Sequence, residues 1–237
     1  MRNTICPVES LEQIEYDCKL CKDQEWILDV ETNTAKPCKC REVKRYRRIL
    51  EASGISQEFQ KKTFDNFIAK GRPKIIRQAK ETAVEYAKNF ENEKSIAFIG
   101  TVGCGKTHLG AAIANELMGR GIGVLYVNYR DMINKLKQSV TDEENYNREM
   151  HKYKNATVLF IDDLFKGLKD TDIKYIYEVV NYRYFNNKKL IITSERKALE
   201  WLDIDEAIGS RIYEMCKGRI VEFEGKGLNY RLTGDKP

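Results

Sequence analysis

The feature that most narrows the possible folds is a junction. Residues 95–99 (SIAFI) are a continuous apolar run, residues 100–107 (GTVGCGKT) a glycine-rich loop, and residues 109–117 (LGAAIANEL) a stretch of helix-forming character. A strand that feeds a G-x-x-x-x-G-K-[ST] loop and then a helix is the arrangement in which that motif binds phosphate. Gly100, Gly103 and Gly105 admit positive φ and close backbone approach, so successive N–H groups can surround phosphate oxygens at the positive end of a helix. Lys106 then belongs on the β- and γ-phosphates, and the Thr107 hydroxyl belongs to the ligand shell of magnesium. Gly100, Thr101, Val102, Gly103, Cys104, Gly105, Lys106, Thr107 and the adjoining His108 are therefore the candidate nucleotide contacts.

The rest of the chain supplies what such a junction needs. Apolar runs at 124–127, 157–161, 190–192 and 219–223 read as four further strands. Helical spacing marks 73–90, 130–140, 173–185 and 204–216. Strands alternating with helices specify a three-layer α/β sandwich around a five-stranded, largely parallel sheet. The run at 157–161 ends in Asp162 and Asp163, one residue for magnesium and the next for orienting an attacking water. The run at 190–192 leads to Thr193, Ser194 and Glu195, at a strand exit where ligands sit in α/β sheets. Ser194 has two readings there, a contact that senses the γ-phosphate and a helix N-cap.

Ahead of this domain lies a different kind of chemistry. Four of the seven cysteines fall in a short segment, as Cys18 and Cys21 and then, beyond a polar stretch with Pro37, as Cys38 and Cys40. Two close pairs around a hairpin can each supply one edge of a tetrahedral thiolate site, which reads as a structural zinc ribbon. The second pair has one spacer where two are usual; an iron–sulfur cluster is the lesser alternative, and Cys6 is a spare ligand. A four-thiolate site has no open position, so its expected role is to shape the module.

The 41 Lys and Arg against 36 Asp and Glu give only +5, but residues 41–80 hold 12 of the cations and 4 of the anions. That local excess suits a nucleic acid or acidic protein partner, while a solvated helix face is the commoner use of such a segment. Residues 41–50 place Val43, Tyr46, Ile49 and Leu50 at helical spacing, and Ser53 and Gly54 read as the stop. The expected division is thus 1–52, a zinc module with a basic linker helix, and 53–237, the nucleotide-binding domain. Phe59, Phe64 and Phe67 are open to two readings, a packed linker and an adenine contact. Residues 141–154, with Lys152, Lys154 and tyrosines, are open to two as well: a track for a single nucleic-acid strand, and an exposed loop and helix face. No run approaches the roughly 18 apolar residues of a membrane span, and the N-terminus lacks a signal-peptide core, so a cytoplasmic protein without a membrane partner is expected.

The segment 63–67 (TFDNF), the phosphate loop, the Asp162-Asp163 strand, Thr193-Ser194, residues 209–211 (GSR) and residues 229–231 (NYR), behind a cysteine module, together resemble the DnaC/DnaI-type bacterial and phage helicase loaders. These are AAA+ ATPases related to the transposition helper IstB. The resemblance implies an AAA+ P-loop fold without a C-terminal helical lid, and slow, switch-like ATP hydrolysis with magnesium. It implies that Arg211 is an arginine finger for a neighbouring subunit and that Arg231 senses nucleotide within its own. It also implies self-association, binding of single-stranded DNA, and docking of the zinc-bearing module on a hexameric replicative DNA helicase. Glu195 stands where that family commonly has Asn, and Asp163 where a longer Glu is usual. A transposition helper that binds DNA is the alternative reading; a small-molecule kinase would need an acceptor pocket and lid for which the sequence offers no candidate.

Overall fold

In the computed structural model, which describes residues 16–52 and 56–233, the chain divides into two compact units, Met1–Arg41 and Glu42–Pro237. The spare Cys6 lies outside the described residues. In the first unit, β1 (Trp26–Asp29) and β2 (Thr34–Pro37) pair antiparallel, so the hairpin expected between the two cysteine pairs is present. Helix α1 (Cys40–Ala52) begins at the last cysteine. The division at Arg41 falls ahead of the boundary expected after residue 52. The reason is packing: the basic helix buries Val43 and Tyr46, one in each of the two cores of the larger unit.

The second unit continues with α2 (Ser56–Gln60), α3 (Lys74–Lys88), β3 (Ile96–Gly100), α4 (Lys106–Gly119), β4 (Val124–Asn128), α5 (Tyr129–Ser139), α6 (Glu143–Asn155), β5 (Val158–Asp162), α7 (Ile173–Phe185), β6 (Lys189–Ser194), α8 (Ala198–Ile204), α9 (Glu206–Met215), β7 (Ile220–Phe223) and α10 (Tyr230–Thr233). The five strands form one sheet in the order β4-β5-β6-β3-β7, and every pairing is parallel. Parallel neighbours require crossovers, and the helices that make them cover both faces.

That cover explains why the strands read as unbroken apolar runs. Ile96, Phe98, Val158, Phe160 and Ile191 face a core shared with α3 and α4. Their alternates Ala97, Ile99, Leu159, Ile161, Leu190 and Ile192 face a second core shared with α5, α7 and α9. Successive strand residues point to opposite faces, so burial on both sides demands apolar residues at every position. Phe160 is fully buried, which contributes about 2–3 kcal/mol. The space for its ring depends on Gly110 of α4, where a Cβ would meet the ring at 2.4 Å. Helix α4 is thereby held close to the sheet, with its first turn at the tips of the central strands.

Register decides what meets at those tips. Ile161 pairs with Ile192, so one residue later Asp162 and Thr193 stand side by side. Gly100, at the end of β3, pairs with Phe223 of β7.

Candidate nucleotide-binding site

The loop after β3 is fixed largely through backbone. The Thr101 N–H and hydroxyl both donate to the Phe223 carbonyl, at 3.0 and 2.9 Å. The Tyr230 N–H donates to the Gly103 carbonyl at 2.9 Å. Arg72 donates to the carbonyls of Leu228 at 2.8 Å and Cys104 at 3.3 Å, with its guanidinium over the Tyr230 ring at 5.1 Å. Two glycines are needed for reasons beyond conformation. Gly103 (φ +72°) would place a Cβ 2.0 Å from Asn229 Oδ1, and Gly105 (φ +107°) would place one 2.6 Å from the Phe67 ring.

Beside this loop opens a cleft of about 520 Å3, whose walls include Gly103, Lys106, Thr107, Asp162, Lys166 and Arg231. Lys106 is buried, and its ammonium donates to the carbonyls of Gly100 and Thr101 at 2.8 and 2.7 Å. Burial depresses its pKa, against the opposing pull of Cys104, Glu195, Asp163 and Asp162. An incoming phosphate would offer this ammonium a better acceptor than two neutral carbonyls.

Asp162 is the most heavily engaged carboxylate. Oδ1 accepts from Thr107 at 2.8 Å and from Thr193, and Oδ2 accepts from the Tyr126 hydroxyl at 3.1 Å. Only 5 % of it is exposed, and desolvation raises its pKa more than the hydroxyl donors of Thr193 and Thr107 lower it. Thr107 and Asp162 thus meet at one point, as shared magnesium coordination requires, and a dication there would relieve the buried negative charge.

Asp163 turns out of the strand with φ +56°, and its N–H donates to Thr193 Oγ1 at 2.9 Å. Its carboxylate accepts from Lys166 at 3.1 Å, and the same ammonium reaches Glu195 at 2.8 Å. Ser194 is fully buried; its hydroxyl donates to the Leu164 carbonyl at 2.8 Å and accepts from the Arg196 N–H at 3.2 Å. These are contacts to turn backbone, Ser194 is not among the residues that line the cleft, and the N-cap expected of it falls elsewhere. The N-cap of α8 is Lys197.

The other sequence candidates take the following places. Val102 is 44 % exposed on the cleft wall, whereas Cys104 is fully buried with its thiol on the Thr101 carbonyl at 2.9 Å. His108 Nε2 lies 3.0 Å from both Thr63 O and Asn66 Oδ1, two acceptors that call for a proton on that nitrogen, and burial lowers its pKa. Its ring meets Phe67 edge to face at 5.2 Å. Phe59 and Phe67 are buried, Phe59 against Tyr126 at 4.8 Å, so both serve packing while Phe67 also closes one cleft wall. Arg231 lines the cleft from α10. Arg211 sits on α9, away from this cleft, where it donates to the Ala207 carbonyl at 2.7 Å and lies within 6 Å of the Tyr177, Tyr184 and Phe185 rings. In α6, Lys152 pairs with Glu149 at 3.1 Å and Lys154 with Glu178 at 2.6 Å, so these two lysines are balanced within the fold. Arg72, Tyr126 and Lys166 were not singled out from sequence, although Lys166 stands only three residues past Asp163.

In the first unit, the thiolate-bearing atoms of Cys18, Cys21, Cys38 and Cys40 lie within 4.8 Å of one another. The Asp23 carboxylate accepts from the N–H groups of Asp17 and Cys18 at 3.1 and 3.0 Å, which fixes the first turn. The single spacer in the second pair has a local cause, since Cys40 already opens α1. Four soft donors converging on one point suit a tetrahedral thiophilic metal. No helix among the described residues is long and apolar enough to cross a membrane.

A family model described as "IstB-like ATP binding protein" matches residues 13–233. The Bacillus subtilis (strain 168) protein YqaM is 41 % identical over 278 residues, spanning 94 % of this chain and 88 % of that one. Among solved structures, a crystal structure of the DnaC helicase loader is 27 % identical with a TM-score of 0.61, over 71 % of this chain and 99 % of that one. The replication initiator DnaA bound to AMPPCP and single-stranded DNA is 28 % identical with a TM-score of 0.56, and the chain spans about half (50 %) of its length. A match that runs almost end to end, over a parallel sheet with its phosphate loop at the tip of β3, between β6 and β7, makes this chain a member of the IstB-like ATP-binding protein family, a DnaC-type AAA+ protein.

Proposed function

We propose that the chain is an ATP-dependent loader of a replicative DNA helicase. The observation that carries this reading is its correspondence with the DnaC helicase loader over 99 % of that chain, with the ATP-binding loop in the shared part. Lys106 and the loop N–H groups hold the phosphates, Thr107 and Asp162 hold magnesium, and Asp163 orients water. Arg231 contacts nucleotide within its own subunit, and Arg211 serves a neighbour's site, which makes self-association part of the cycle. A planar, permanently charged guanidinium suits both positions. Hydrolysis is slow, because Asp163 is short and held by Lys166, and nucleotide acts as a switch.

Residues 1–41 form the helicase-docking module, in which Cys18, Cys21, Cys38 and Cys40 hold structural zinc, and residues 42–237 form the ATPase that engages single-stranded DNA. Support for the zinc is the convergence of the four Sγ atoms within 4.8 Å. Support for the DNA is the solved DnaA complex with a single strand, at similar fold. The decisive measurement mixes the protein with its cognate hexameric helicase without nucleotide, with ADP and with ATP, and reads the mass of the complex. Binding in at least one state is expected; folded protein that binds in none refutes the loader reading.

A further inference from the structure

Two carboxylates face the phosphate cradle without the hydroxyl cage that surrounds Asp162. Asp163 and Glu195 belong to different strand ends, yet both rest on the Lys166 ammonium, at 3.1 and 2.8 Å. All three side chains line the same cleft as Lys106, and both carboxylates act electrostatically on Lys106. Glu195 and then Asp163 hold the Lys166 pKa above the usual lysine range, so it is a full cation at every physiological pH.

A nucleoside triphosphate brings several negative charges to Lys106, and two carboxylates beside it would repel the outermost phosphate. The repulsion is manageable only because Lys166 lies between them. Its side chain is 45 % exposed, and an exposed ion pair of this kind contributes no more than about 1 kcal/mol. A phosphate dianion at the same distance is a stronger competitor for one ammonium than a single carboxylate. Neither carboxylate therefore holds Lys166 tightly enough to keep it from a phosphate within its reach.

We propose that Lys166 is the γ-phosphate-responsive residue of this chain: it holds Asp163 against Glu195 until a γ-phosphate arrives, then moves onto that phosphate while keeping Glu195, and so releases the Asp163 carboxylate. A diphosphate lacks the competing group and leaves Asp163 held. Glu195 is a poor neighbour for phosphate, and its charge is tolerated there because the Lys166 ammonium screens it. The inference rests on the ATP-binding reading of the cleft and on the water-orienting place of Asp163.

The test compares equilibrium binding of ATPγS and of ADP, each with magnesium, to the full chain and its variants, with thermal melting as a check on folding. Lys166→Met is expected to weaken ATPγS about tenfold and ADP less than about twofold, the loss of one charge-assisted contact made only to the γ-phosphate. Lys166→Arg keeps most of the preference for ATPγS. Glu195→Gln, which removes a repelling charge, tightens ATPγS and leaves ADP unchanged. Equal loss of both nucleotides in Lys166→Met, or of neither, overturns the proposal, as does weaker ATPγS binding in Glu195→Gln. If the parent chain binds neither nucleotide, the ATP reading falls with it; a parent that binds both beside an unaltered Lys166→Met removes this inference alone.

Discussion

The Thr193 hydroxyl does two things at once, and replacing it separates the fold from the site. It donates to Asp162 Oδ1 and accepts the Asp163 N–H at 2.9 Å, from a residue with no solvent exposure. Thr193→Val keeps the β-branched shape and suits a strand but supplies neither bond. Losing a neutral donor to a buried carboxylate costs about 1.5–3 kcal/mol, and the orphaned N–H adds about 1 kcal/mol because Asp163 is partly open to water. The expected loss near pH 7 is therefore about 3 kcal/mol, measured as a lower urea midpoint with unchanged slope. The pH dependence carries the sharper test. Burial already raises the Asp162 pKa above its unfolded value, so its charge costs stability at pH values above the folded pKa, and that cost fades as pH falls through it. Thr193 is the largest of the groups that lower this pKa, so its removal raises the pKa further and enlarges the cost. The difference between Thr193→Val and the parent must then be largest at neutral pH and shrink on acidification, and Thr193→Ser, which retains the oxygen, must show little of this pH dependence. A loss that does not shrink as pH is lowered through the range in which Asp162 takes up its proton would refute the reasoning, because the hydroxyl would not be serving an ionised carboxylate.

Three further outcomes follow from the same geometry. Asp162→Asn keeps an acceptor for Thr107 and Thr193 while removing a buried charge, so melting temperature at pH 7.5 should rise, the gain shrinking toward acid, while magnesium-dependent phosphate release falls about a hundredfold. Gly103→Ala puts a methyl 2.0 Å from Asn229 Oδ1 at φ +72°, and should cost about 1–3 kcal/mol in urea denaturation and weaken nucleotide binding through the displaced segment 228–231. Elemental analysis of the purified chain should find about one zinc per molecule, and Cys38→Ser should lose most of it; a near-zero value for the parent would remove the metal from the first unit.

Much of the sheet was legible because its strands are buried on both faces, which leaves unbroken apolar runs that local reading detects. The phosphate loop and Asp162 were legible for a related reason, since each sits directly at the end of such a run. What escaped is contact between distant segments. Arg72 reaches the Leu228 carbonyl, and nothing in the stretch before Pro73 marks that arginine out from its basic neighbours. Lys166 and Glu195 meet only because β5 and β6 are adjacent and in parallel register. The same blindness affects charge: Lys154 reads as a free cation along the chain, but Glu178, which neutralises it, lies on another helix. The basic helix α1 was legible as a helix but not in its allegiance, because Val43 and Tyr46 are as apolar in a linker as in a core.

The way the phosphate loop is held bears on how nucleotide can act at a distance. Its attachments to the last described segments include two main-chain bonds, Thr101 N–H to the Phe223 carbonyl and Tyr230 N–H to the Gly103 carbonyl, and the Arg72 guanidinium joins the Leu228 and Cys104 carbonyls. A loop that shifts to surround phosphate must carry Tyr230 with it or break that bond, and Tyr230 is the first residue of α10, which bears Arg231. No side-chain relay is needed between the cradle and that arginine. On the opposite wall Lys166 joins Asp163 to Glu195, and Thr193 joins Asp162 to Asp163, so the tips of β5 and β6 respond as a unit. Phosphate therefore arrives between two walls that are each internally tied, one by backbone and one by shared hydrogen-bonding groups. The proposed nucleotide switch rests on these two tied walls.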